Sequence, residues 1–252
     1  MRIIIGGALG RMGRELALAA ENAGVDIACG VDVAFSGQQA AFPVVTGYEK
    51  VTLSADVIVD FSRPDALPEL LKLAQESHTP AVLCATGYTD AELAMIEEAA
   101  KHTAILRSAN MSLGVNVLCE LVRMAARTLE GFDIEIVEKH HRMKADSPSG
   151  TAVMLYEAAK KEKGPETEPL YGRYGRTQKR TDGEIGIHAV RGGTVTGEHE
   201  VGFYGSGEEI ILTHRAENRA LFAQGALKAA AYLNGRNAGL YSMRDVVLTM
   251  LG

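Results

Sequence analysis

Residues 138–151 read Glu-Lys-His-His-Arg-Met-Lys-Ala-Asp-Ser-Pro-Ser-Gly-Thr, a crowding of basic and hydrogen-bonding groups. His140 and His141 are adjacent in a chain with seven histidines, Lys144 follows, and Ser149, Gly150 and Thr151 precede a helical pattern. Three kinds of chemistry compete for such a stretch: a solvated basic loop, a metal site, or a pocket for an anionic substrate. A metal fits poorly. No His-Glu-x-x-His or nearby cysteine completes a ligand set, and neighbouring residues on a strand point to opposite faces. A helix N-terminus offers N–H donors to an anion, and two imidazoles and an ammonium would reinforce it. That combination suits a small molecule bearing carboxylates. If the preceding strand ends at Lys139 or His140, the following turn would aim both rings inward.

A second constellation lies at the start of the chain. Residues 6–13, Gly-Gly-Ala-Leu-Gly-Arg-Met-Gly, have the spacing Gly7-x-x-Gly10-x-x-Gly13, with Ala8 where the stricter dinucleotide fingerprint carries its first glycine. Gly7 and Gly10 would permit a tight turn and close approach of backbone to a pyrophosphate, and Gly13 would let a helix pack near the preceding strand. Gly7, Ala8, Leu9, Gly10, Arg11 and Met12 form the predicted cofactor loop. Asp32 follows about twenty positions later, where an acidic residue commonly holds the adenosine ribose hydroxyls. A carboxylate there would repel the 2′-phosphate of NADPH, and Val33 brings no cation to offset it. NADH is therefore the cofactor this pattern predicts to be preferred, with NADPH the alternative, and Arg11 or Arg14 could reach over to blunt the difference.

These groups need elements to aim them. Residues 2–7, 25–32, 56–62, 80–86 and 103–109 are short strand-like runs, while 13–24, the stretch after Pro64 and 90–102 carry helical spacing. Such a succession predicts an α/β fold, a Rossmann-like parallel sheet with helices on both faces. Ligands of such sheets lie outside the C-terminal strand ends. Arg63 and Cys84-Ala85-Thr86 fall at two of those ends. From residue 112 the pattern changes to one amphipathic helix (112–129), an alternating strand (132–141) and a helical stretch near 151–162. Residues 164–183, rich in Pro, Gly, Arg and Thr, look like an exposed excursion. Strand-like runs at 184–193, 194–205 and 208–216 then follow one another without helices, which predicts an α+β mixed-sheet second domain. The expected division is 1–111, completed by helices within 217–252, for the dinucleotide, and 112–216 for the substrate.

Composition narrows the function further. The chain has 252 residues, 46% hydrophobic and 23% charged, with a net charge of −6. An acidic chain of this kind lacks the basic face that nucleic-acid binding needs. Cys29, Cys84 and Cys119 are far apart and form no Cys-x-x-Cys pair, which predicts reduced thiols in a cytoplasmic protein. No run reaches the roughly 18 apolar residues of a membrane span.

Four motifs together resemble one family over nearly the whole chain. They are Gly-x-x-Gly-Arg-Met-Gly (7–13), the 138–151 string, Arg-Gly-Gly-Thr-Val-Thr-Gly-Glu-His-Glu-Val (191–201) and Gly-Leu-Tyr-Ser-Met-Arg-Asp-Val (239–246). The resemblance is to the 4-hydroxy-tetrahydrodipicolinate (dihydrodipicolinate) reductases, and the 138–151 string is highly specific. It implies reduction, with a nicotinamide cofactor, of a cyclic dicarboxylate precursor of diaminopimelate and lysine. It also implies a homotetramer joined through the second sheet. By the matching motifs, His140 would take part in proton exchange, Lys144 would donate a proton, and His141, Gly150 and Thr151 would grip the substrate carboxylates. The nicotinamide side would fall to Cys84, Ala85 and Thr86 and to Ser108, Ala109, Asn110 and Met111. Two stretches depart from the family pattern: Gly-Thr-Thr is Cys84-Ala85-Thr86 here, and Asn-Phe-Ser is Asn110-Met111-Ser112. Backbone contacts would survive these changes, whereas a side-chain contact at 85 or ring packing at 111 would not.

Two rivals remain: a non-catalytic NADH sensor on the same nucleotide domain, and a different two-domain dehydrogenase of an amino acid or sugar. The acidic charge and the His-His-Lys cluster argue against the first. The Ser-Pro-Ser-Gly-Thr string argues against the second.

Overall fold

The computed structural model describes residues 1–176 and 179–251. Its first strand, β1 (Arg2–Gly6), carries Ile3, Ile4 and Ile5 in succession, all buried. A strand apolar on both faces belongs in a parallel sheet covered by helices on each side. α1 (Arg11–Asn22) turns Leu16 and Ala20 inward, and β2 (Asp26–Val31) returns parallel to β1. A two-residue β3 (Val44–Val45) extends the sheet beyond β2. β4 (Val57–Asp60) pairs on the other side of β1, followed by α2 (Leu67–Glu76) and β5 (Ala81–Leu83). α3 (Asp90–Ala99) begins at a reciprocal cap in which Thr89 and Glu92 bond each other's backbone N–H, and β6 (Ala104–Arg107) follows it.

The next elements are α4 (Leu113–Thr128), β7 (Asp133–His140), α5 (Gly150–Lys163), β8 (Glu168–Tyr171), β9 (Glu184–Arg191), β10 (Gly197–Tyr204) and β11 (Glu209–Ala216). The chain ends with α6 (Ala220–Leu233), β12 (Gly239–Tyr241) and α7 (Met243–Leu251). Two compact units result, one of residues 1–113 with 219–252 and one of residues 114–218.

In the first unit seven parallel strands run in the order β12-β6-β5-β4-β1-β2-β3. Apolar clusters fill both faces of that sheet. α6 packs so tightly that a Cβ at Gly225 would come within 1.7 Å of the Met111 carbonyl oxygen, so this helix position requires glycine.

The second unit holds a mixed sheet, β11-β10-β7-β9-β8, in which β10 is antiparallel to its two neighbours and the remaining pairs are parallel. β7 alternates strictly: Ile134, Ile136, Glu138 and His140 are buried, and the residues between them are half-buried. α4 and α5 bury Val122 and Leu155 against that inner face with Ile134, Ile136, Val201 and Phe203. The outer face carries paired charges, among them Lys139 and Arg215 on Glu198.

The segment 164–183 is not simply an excursion. Residues 168–171 form β8 in parallel register with β9, because Pro169 and Leu170 find partners there that no local periodicity announces. Thr177 and Gln178, within that segment, lie outside the described residues.

Candidate active site

In the first unit the glycine loop closes tightly. Gly7 adopts φ +69°, and its N–H, like that of Ala8, donates to the Val31 carbonyl. A Cβ at Gly13 would lie 2.2 Å from the Gly7 carbonyl oxygen and 2.7 Å from the Ala8 Cα. A side chain there would push the loop off the helix, so the loop fits the close approach a pyrophosphate needs. Asp32 is tied to the loop, since its carboxylate accepts from the N–H of Leu9 at 2.8 Å and of Ala34 at 2.9 Å.

Beside the loop is a cavity of about 450 Å³, within the usual range for a small-molecule site. Gly10, Arg11 and Met12 line it from the loop and α1, Cys84 from the end of β5, and Ala109, Asn110 and Met111 from the segment after β6. Phe61, Arg219 and Phe222 complete the wall. These three carry no glycine or acidic signature and come together only when β4 and α6 pack into the same unit. Of the other predicted cofactor residues, Ala85 is buried, Ser108 is half-buried with its hydroxyl on the Asn110 carbonyl, and Arg63 and Thr86 are exposed outside the cavity wall. Met111, where the family motif has an aromatic residue, is 2% exposed and belongs to the core as well as to the cavity.

The second unit brings the histidine–lysine motif together around a buried carboxylate. Glu138 is 0% exposed. One of its oxygens accepts from Arg191 Nη2 at 2.7 Å and from the Ser149 N–H at 3.0 Å. The other accepts from Arg191 Nη1 at 2.8 Å and lies 2.6 Å from His140 Nδ1. Burial alone would raise the Glu138 pKa, but the Arg191, His140 and Ser149 hydrogen bonds outweigh it and hold the carboxyl below its ordinary value. His140 ends β7 at 8% exposure, and burial pulls its pKa below the usual histidine value against the opposing pull of Glu138.

The two rings are buried to different extents. His140 faces the core side, whereas His141, just past the strand, is half-buried. Lys144 Nζ lies 2.8 Å from Asp146 Oδ1, and the Asp146 carbonyl accepts from Arg191 Nη2 at 2.7 Å. α5 starts at Ser149, whose hydroxyl accepts from the Ala152 N–H and meets His199 Nε2 at 2.9 Å. Gly150 is exposed and Thr151 half-buried in the first turn. The His199 ring stands edge-on to His140 with centroids 5.1 Å apart. Among the described residues no group of three or more His, Cys, Asp or Glu could hold a metal ion. An imidazole, an ammonium and a helix N-terminus on one carboxylate–guanidinium frame can exchange protons with a bound anion.

Residues 1–111 match the family model described as dihydrodipicolinate reductase, N-terminus, and residues 114–247 match the C-terminus model of the same name. A 4-hydroxy-tetrahydrodipicolinate reductase of Caldanaerobacter subterraneus is 50% identical over 248 residues, covering 98% of each chain. One from Clostridium novyi is 43% identical with the same coverage. Among solved structures, a dipicolinate-bound dihydrodipicolinate reductase from Paenisporosarcina sp. TG-14 superposes with a TM-score of 0.81 at 25% identity, covering 96% of this chain and 97% of the other.

Proposed function

The chain belongs to the dihydrodipicolinate reductase family, and from that premise we propose how its residues carry out the reaction. It is a pyridine-nucleotide-dependent oxidoreductase that reduces 4-hydroxy-tetrahydrodipicolinate to tetrahydrodipicolinate, on the way to diaminopimelate and lysine. The nicotinamide cofactor supplies the hydride. Gly7 to Met12 would hold its pyrophosphate on backbone N–H groups at the start of α1, and Asp32 would accept from the adenosine ribose. Cys84 to Thr86 and Ser108 to Met111 border the nicotinamide side, and the exposed Arg63 stands at the adjoining strand end. The first unit is thus the dinucleotide domain and the second the substrate domain.

In the second unit His141 and the N–H groups of Gly150 and Thr151 hold the substrate carboxylates by charge-assisted and helix-terminal hydrogen bonds. After the substrate loses its hydroxyl as water, the conjugated imine accepts hydride and needs a proton at the adjacent position. Lys144 donates that proton and His140 assists. The observation that supports this assignment is that His140 and the start of α5 both bond Glu138, while Lys144 is tied to the same Arg191 through Asp146. A homotetramer in the cytoplasm goes with the same reading.

The test is steady-state oxidation of NADH and of NADPH with the unstable substrate generated in situ. Turnover is expected with both, and a higher kcat/KM is expected for NADH, because Asp32 repels a 2′-phosphate. No oxidation with either cofactor would refute the function. A clear NADPH advantage would refute the role of Asp32 alone.

A further inference from the structure

We propose that Glu138, clamped by Arg191, is the positioning residue that holds His140 as the Nδ1–H tautomer, leaving Nε2 as the nitrogen that exchanges a proton at the substrate. The proposal rests on the assignment of His140 to proton exchange and adds which of its atoms does so and what enforces the choice.

Donor and acceptor bookkeeping on Glu138 settles the tautomer. An ionised carboxylate only accepts. Its two oxygens already take two guanidinium N–H groups and the Ser149 amide, all obligatory donors. The fourth neighbour, His140 Nδ1 at 2.6 Å, must then be a donor too, because a bare imidazole nitrogen there would set two lone pairs against each other. Nδ1 is therefore protonated, and the acceptor lone pair of the neutral ring lies on Nε2.

The surroundings of Nε2 agree. The neighbouring strand places Gly197 against that edge of the ring, and a Cβ there would sit 3.1 Å from Nε2 and 3.4 Å from Cδ2. Any larger residue would crowd the working nitrogen. His199 packs edge-on from β10 and bonds Ser149 rather than Nε2. The charged or titratable groups facing His140 are thus Glu138 from its own strand, Arg191 from β9, His199 from β10 and Lys144 from the following loop. Arg191 serves twice, since the nitrogen that grips Glu138 also holds the Asp146 carbonyl, and the Asp146 carboxylate pairs with Lys144. One guanidinium thereby fixes both proton-handling groups.

The experiment is side-chain ¹⁵N NMR of the full-length enzyme with NADH, labelled at histidine, with His140→Asn used to assign the resonance. His140 in the wild type is expected as the Nδ1–H form. In Glu138→Gln, which keeps the shape but offers one acceptor oxygen in place of two, the Nε2–H form should become populated. In that variant kcat should fall by about 10- to 10⁴-fold, the upper end being the loss when the carboxylate behind a serine-protease histidine becomes an amide. The acid limb of its kcat/KM profile should move to lower pH, while the affinity for NADH stays unchanged. An Nε2–H ring in the wild-type enzyme overturns the proposal whether or not the variant folds. So does a folded Glu138→Gln enzyme whose tautomer and pH profile match wild type. His140→Asn tests the premise separately, because wild-type kcat in that variant would remove His140 from the chemistry whatever its tautomer.

Discussion

Under the proposed assignment Lys144 and His141, three positions apart, have opposite tasks. A carboxylate is gripped equally before and at the transition state, so His141→Ala should raise KM and leave kcat nearly untouched. A proton must arrive as hydride adds, so Lys144→Ala and His140→Ala should lose kcat by about 10²- to 10⁴-fold with NADH affinity unchanged. Steady-state kinetics with a cofactor titration separates these outcomes, and wild-type kcat in both proton-handling variants would contradict the roles. His199 has a different consequence. Burial, aided by the nearby His140, pulls its pKa down to about 4. Between the ordinary histidine value of 6.5 and that figure the unfolded chain binds more protons than the folded one, so stability falls as pH falls through the window. The loss attributable to this ring is on the order of 2–3 kcal/mol. Chemical denaturation at pH 7 and pH 4.5 should show His199→Gln losing less stability than wild type on acidification. Equal losses would contradict it.

At the scale of elements, the contact between α1 and its loop carries the sharpest prediction. Gly13→Ala would drive a methyl into the Gly7 carbonyl, a backbone group that cannot step aside. Overpacking of this kind costs about 1–3 kcal/mol, and the displaced loop should bind NADH at least about tenfold more weakly, as 1.4 kcal/mol corresponds to a factor of ten. Fluorescence titration and thermal melting check both, and unchanged affinity would refute the loop as the cofactor cradle. Long elements were legible from periodicity. β1, α1, β4, α3, α4, β7 and β9 to β11 lie within a few residues of where alternation or helical spacing puts them. β3, β8 and β12 are not, because Val44–Val45, Glu168–Tyr171 and Gly239–Tyr241 are too short or too polar to show the continuous apolar run that marks β4, and they are strands only through their partners. The site divides in the same way. Gly7 to Gly13, Asp32 and the 138–151 string announce themselves by local spacing. Phe61, Arg219 and Phe222 reach the cavity only through packing, and although Arg191 and His199 share the 191–201 motif, its spacing does not announce that one clamps Glu138 and the other stands against His140.

For the whole molecule, the outer face of the mixed sheet matters most. Its charges are largely neutralised within the chain, as Glu135 is by Arg173 and His188, and Val190 and Ile211 stand exposed among them. A sheet face whose charges are largely paired, with apolar residues exposed among them, suits a second copy of itself, and the expected state is a tetramer joined through these strands. Sedimentation at micromolar concentration checks it, and a monomer would contradict it. The seven-stranded sheet has its own consequence, in the order of synthesis. β6 emerges from the ribosome well over a hundred residues before β12, the strand that covers its open edge. At ordinary elongation rates that gap lasts on the order of ten seconds. For nearly all of it the nascent first unit also lacks α6, whose Ala223, Ala226 and Ala230 complete its core. The growing chain therefore carries an unpaired edge and an uncovered apolar face together, which makes this interval the one in which a nascent-chain chaperone has most to protect.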